Sequence, residues 1–108
     1  PEWSNNQLYM VGYLEESIAL PAVYSLSTAY PNPFNPTTTL SFAIPIDSEV
    51  SLSIYNLQGR EVSTLINANM DAGYHSIVWD ANSYASGVYF VKMVSGEFVN
   101  TQKLMLIK

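Results

Sequence analysis

The chain has 108 residues, a net charge of −5 and four basic side chains, Arg60, Lys92, Lys103 and Lys108. So few cations cannot neutralise a run of phosphates, which excludes nucleic acid as a partner and leaves no basis for attraction to anionic lipid. The absence of cysteine removes disulfides and thiolate metal sites, and no apolar run approaches the ~18–20 residues of a membrane span.

Only 12% of residues are charged, about half the usual ~25%. Polarity comes instead from Ser, Thr, Asn and Gln. Eight tyrosines and many β-branched residues accompany them, a composition that suits the exposed faces of β-sheets. The chain starts at Pro1 and shows no basic-then-apolar leader, so it reads as a fragment of something longer, with any signal peptide or catalytic domain upstream.

Residues 1–26 read as an N-terminal extension, a linker or the end of a preceding domain, and residues 27–108 as one folded domain. A strand is conceivable at 7–14, with an exit toward a linker at 15–21. The boundary falls between Leu20 and Ala29. The next strand is expected at 23–29. The run 30–36 follows, where Pro31, Pro33 and Pro36 each fix φ and bias the preceding residue away from helix, holding the chain extended.

Residues 37–44 then alternate cleanly, with Leu40, Phe42 and Ile44 on one face. Pro45 and Asp47-Ser48 end that strand. Residues 50–57 alternate again, with Val50, Leu52 and Ile54 inward. A period of two is incompatible with one helical face. Residues 56–60 read as a hairpin turn in which Gly59 can take positive φ.

Residues 61–66 make a poorer strand, because Val62 and Leu65 are three apart; a bulge or an early exit is expected there. A polar turn is expected at 67–73. The strand 74–79 follows, with His75, Ile77 and Trp79 on one face. After a loop of small residues at 80–87 come strands at 87–94 and 98–107, turned by residues 95–97. The expected fold is therefore all-β: an immunoglobulin-like antiparallel β-sandwich of about seven strands.

No catalytic constellation emerges. His75 is the single histidine, the acids are scattered except Glu15-Glu16, and no Gly-x-Ser-x-Gly elbow or Gly-rich phosphate loop is present. His75 reads as a packed residue with one hydrogen bond. Asp71 and Asp80 sit where Asp commonly makes a turn. Asp80-Ala81-Asn82 could hold calcium through oxygens, although a turn capped by its own side chains accounts for it more simply. No catalytic residue, metal or cofactor is expected. The tyrosines with Trp3 could form a sugar-stacking platform, but no three aromatics recur at i, i+2, i+4 on one strand.

Three blocks remain. They are the run 30–38, written Tyr-Pro-Asn-Pro-Phe-Asn-Pro-Thr-Thr; the corner Ala85-Ser86-Gly87-Val88-Tyr89-Phe90, patterned like a tyrosine corner; and the lysine-ended strand Gln102-Lys103-Leu104-Met105-Leu106-Ile107-Lys108. In this order, from about Ser27 to Lys108, they resemble the type A C-terminal sorting domain of proteins exported by the type IX secretion system of Bacteroidetes and related bacteria. The pieces 50–62 and 72–75 fit as well.

The resemblance implies a non-catalytic address tag on a secreted multidomain protein. Its partners would be the outer-membrane translocation and sortase machinery and an upstream cargo domain of the same polypeptide. Its destination would be the medium or the cell surface, by way of the periplasm and outer membrane. The residues that match the family's signal motifs are Pro31, Asn32 and Pro33, then Gly87 and Tyr89, then Lys103 and Lys108. A receptor would read the last hairpin, 87–108, by an exposed strand edge and its lysines. A carbohydrate-binding module or a structural spacer on a secreted hydrolase is the alternative.

Overall fold

The computed structural model describes residues 20–108; the strand considered at 7–14 and most of the extension 1–26 lie outside them. Seven strands form two antiparallel sheets: β1 (Ser25–Leu26), β2 (Thr37–Ile44), β3 (Ser48–Asn56), β4 (Glu61–Met70), β5 (Gly73–Asp80), β6 (Gly87–Ser95) and β7 (Phe98–Leu106). One sheet has the order β1-β2-β5 and the other β4-β3-β6-β7. The three-on-four arrangement is a variant of the immunoglobulin constant-type sandwich in which the fourth strand pairs with the third instead of the fifth. No helix among the described residues is long and apolar enough to cross a membrane.

The alternation seen in sequence is what builds the core. Leu40, Phe42 and Ile44 of β2 face Val50, Leu52 and Ile54 of β3, Val91 and Met93 of β6, and Leu104 and Leu106 of β7; all are buried. A period of two places each set on the inner face of its sheet, and two such faces exclude water between them. The β3–β4 hairpin closes as expected. Gly59 has φ of 85°, a region L side chains avoid, and Asn56 Oδ1 accepts from the amides of Gln58 and Arg60 at 3.0 and 2.9 Å.

The irregular spacing of Val62 and Leu65 also has its expected consequence. The β3–β4 register skips Leu65 between the pairs Leu52↔Ile66 and Ser53↔Thr64, and skips Val62 between Ile54↔Ser63 and Tyr55↔Glu61. Each extra residue is a bulge, and both side chains pack against the core.

Three expectations need correction. The strand at 23–29 shrinks to Ser25–Leu26, paired with Ala43 and Phe42. The polar stretch 67–70 belongs to β4, because Asn67, Ala68, Asn69 and Met70 pair with Ser51, Val50, Glu49 and Ser48; ladder pairing overrides weak local propensity. Lastly, the proline run is a series of bends, with the bonds before Pro31, Pro33 and Pro36 cis. Proline has no amide hydrogen, so the two-way pairing of this run falls on the non-proline residues Tyr30 and Phe34, while Pro36 only accepts, from the Ala81 amide at 2.8 Å. Tyr30 exchanges hydrogen bonds with Thr39 (3.1 and 2.9 Å). Phe34 donates to the Met105 carbonyl and accepts from the Ile107 amide, each at 2.9 Å.

Candidate functional site

The Phe34 bridge carries the proline run across the outer edge of β7. Asn32 extends the contact with its side chain: Nδ2 donates to the Lys103 carbonyl at 2.9 Å, and Oδ1 accepts from the Met105 amide at 3.0 Å. A single primary amide thus satisfies the same pair of backbone groups that a neighbouring strand would. Behind it, the buried Thr38 hydroxyl donates to the Pro31 carbonyl at 2.6 Å, fixing the first bend. The C-terminal half of β7 is therefore covered at Lys103, Met105 and Ile107. The exposed strand edge expected for the hairpin 87–108 is thus absent at these residues. The half nearer Phe98 has no strand partner on its outer side among the described residues.

The corner block meets the same half of β7 from the other side. Gly87 opens β6 opposite Leu106, with φ of 152°, and Tyr89 lies opposite Leu104. Tyr89 is buried, and its hydroxyl donates to the Ala85 carbonyl at 2.6 Å, four residues back. That is the geometry of a tyrosine corner at the start of the sixth strand. Tyr89→Phe is expected to lose about 1–1.5 kcal/mol in urea denaturation with little change in the native spectrum. An unchanged midpoint would show that the corner hydrogen bond contributes nothing.

Beneath the corner, Trp79 contacts Phe34, Tyr84 and Tyr89 at centroid separations of 5.6, 5.5 and 5.6 Å. The Tyr84 hydroxyl donates to the carbonyl of the bulged Val62 at 3.0 Å. One aromatic cluster therefore ties the proline run, the corner and β4 together.

Lys108 closes this end of the sandwich. Its ammonium donates to the carbonyls of Asn82 and Tyr84 at 2.7 and 2.8 Å, and its amide donates to Ser86 Oγ at 3.1 Å. Lys103, in contrast, is exposed on the outer face of β7, opposite Phe90. Of the seven motif residues, Pro31, Asn32, Pro33, Gly87, Tyr89 and Lys108 are thus built into one end of the sandwich, while Lys103 projects from it.

Sequence reasoning passed over Phe34, Thr38, Trp79 and Ser86. Phe34 had a signal, as the one aromatic among the prolines. Ser86 had none, because its role depends on where Lys108 ends up.

Trp3, Tyr9 and Tyr13 lie outside the described residues, and several of the other candidates make ordinary contacts. His75 stacks on Phe42 at 5.3 Å, and its Nε2 is 2.8 Å from the Asp71 carbonyl. Asp80 Oδ1 accepts from the Asn82 amide at 2.9 Å, an Asx turn. Tyr24 stacks on Phe98 at 5.6 Å with its hydroxyl on Ser48. Exposed Tyr74 and half-exposed Tyr55 lie on the outer faces of different sheets, so they share no platform.

A family model described as secretion system C-terminal sorting domain matches residues 28–108, the span in which all three blocks lie. The chain belongs to this family. Sorting domains of this kind serve type IX secretion, are in general non-catalytic, and are carried by secreted or cell-surface proteins. Such a role implies contact with the type IX machinery. Among curated proteins no match was found.

Proposed function

We propose that residues 27–108 are the sorting domain that directs a secreted multidomain protein through the type IX system to the cell surface, and that residues 1–26 join it to an upstream cargo domain. The outer-membrane translocation and sortase machinery would be its partners. The observation that carries this reading is convergence: three blocks far apart in sequence meet around the C-terminal half of β7. In the reading proposed, Pro31, Asn32, Pro33, Gly87, Tyr89 and Lys108 present one rigid end of the sandwich to the machinery, and Lys103 contributes an exposed charge. Rigid presentation matters because a preorganised surface binds without an ordering cost.

The test fuses the full 108-residue chain to the C-terminus of a periplasm-directed fluorescent reporter in a type IX-competent host. The reporter is expected outside the cell, and is expected to stay in the periplasm when the outer-membrane translocation channel is deleted. Equal distribution in the two strains would sink the proposal. Truncating the last five residues is a poor probe, since it removes buried Leu104 and Leu106 and with them part of the core.

A further inference from the structure

On the outer face of the four-stranded sheet lies a shallow depression of about 290 Å³ lined by Tyr55, Leu57, Phe90, Lys92 and Thr101, among others. A second depression is lined by Asn32, Pro33, Lys103 and Met105. The two adjoin, because Phe90 of the first pairs directly with Lys103 of the second across the β6–β7 ladder. Together they form a strip running from the β3–β4 turn across the sheet to the proline corner.

The strip has an apolar floor and a cationic rim. Leu57 is 65% exposed and Met105 36%, while Val88, opposite Met105, is half-buried. Lys92 holds its ammonium 5.9 Å from the centroid of the Tyr55 ring. Two of the chain's three lysines therefore border the strip, and Arg60 sits in the adjoining turn. Among the described residues, no carboxylate lines either depression. Glu61, opposite Tyr55 on β4, is the carboxylate beside it, and its Oε2 accepts from the Thr64 hydroxyl.

In a chain of net charge −5, the strip thus gathers two lysines, with Glu61 at its margin as the neighbouring carboxylate. Charge of one sign around an apolar centre is the layout of a docking surface with a polar rim.

We infer that this strip binds an acidic protein segment that alternates carboxylates with aliphatic side chains, the carboxylates meeting Lys92 and Lys103 and the aliphatic groups covering Phe90, Leu57 and Met105. A protein partner fits better than an anionic glycan. Sugar stacking needs open aromatic rings, whereas Tyr55 and Phe90 are half-buried and the exposed apolar surface is aliphatic. The strip shares Lys103, Asn32 and Pro33 with the sorting motifs and extends beyond them to Tyr55, Leu57 and Lys92.

The test titrates the ¹⁵N-labelled 108-residue chain with an octapeptide of alternating Glu and Leu. Amide shifts are expected to cluster at Tyr55, Leu57, Phe90, Lys92, Lys103 and Met105. The double variant Lys92→Glu/Lys103→Glu is expected to bind about tenfold more weakly, as reversing two exposed charge contacts would produce. Its unchanged spectrum elsewhere would report an intact fold, and Lys92→Gln/Lys103→Gln should weaken binding by a smaller factor. Three results would overturn the inference: no saturable shifts, shifts centred on other residues, or equally tight binding of dextran sulfate at the same residues, which would assign the strip to anionic glycans. The reporter assay keeps the two proposals separate. Export without peptide binding sinks the docking strip alone, and binding without export sinks the sorting role alone.

Discussion

Trp79→Ala is expected to cost about 3–5 kcal/mol of folding free energy, the usual range for removing a large buried aromatic. The indole is 3% exposed and touches rings from three other segments: Phe34 in the proline run, Tyr84 in the loop before β6, and Tyr89 in β6. None of those rings can collapse far into the cavity, because each is tethered. Phe34 is held by two backbone hydrogen bonds to β7, Tyr84 by its hydroxyl on Val62, and Tyr89 by its hydroxyl on Ala85. The loss should therefore lie toward the upper end of that range, and Trp79→Phe should recover much of it.

Urea denaturation reads the total effect. Hydrogen exchange at the Ile107 amide, which donates to Phe34, reads the local one. A loss below about 1 kcal/mol, smaller than most core truncations, would show that the four rings do not depend on one another.

That cluster also marks how far the sequence could be read. Alternation at Thr37–Ile44 and along β3 was legible because one face of each strand buries apolar side chains while the other carries mostly small or polar residues. On that second face only Thr37 and Glu49 are fully exposed, and Ala43 and Ser53 are covered. The spacing of Val62 and Leu65 announced two bulges for the same reason: a strand that must keep both side chains inward has to slip register. Local polarity misled at 67–70, where Asn67 and Asn69 look like turn residues yet complete a ladder with β3.

The site was legible only as separate blocks. Its decisive hydrogen bonds join Asn32 to Lys103 and Met105 across 71 and 73 residues, and nothing local to any of those positions specifies the others. The prolines advertised where ladder pairing must fail. They did not advertise that the side chain between two of them would complete the edge of β7 instead.

Asn32→Asp should separate the fold from the signal more sharply than any other single change. The two side chains have nearly the same shape, so packing around the proline bends is kept. The amide's donor is removed, however, and a carboxylate oxygen is placed 2.9 Å from the Lys103 carbonyl, where two acceptors repel. The other half of the arrangement, from the Met105 amide, survives and is strengthened by the negative charge.

The position is exposed, so water can compensate, and the cost to stability should be about 1 kcal/mol with the rest of the sandwich intact. The bend, though, should swing away from Lys103 and spoil the alignment of Pro31 and Pro33 with the end of the sheet. If the machinery reads that corner as a rigid shape, a misfit worth about 1.4 kcal/mol is already a tenfold loss of recognition. In the reporter assay the variant is expected to accumulate in the periplasm as a folded protein, whereas Asn32→Gln, which keeps both donor and acceptor on a longer arm, should be exported in part. If Asn32→Asp were exported like the wild type while NMR showed its side chain detached from Lys103, the machinery would have to read some other part of the domain.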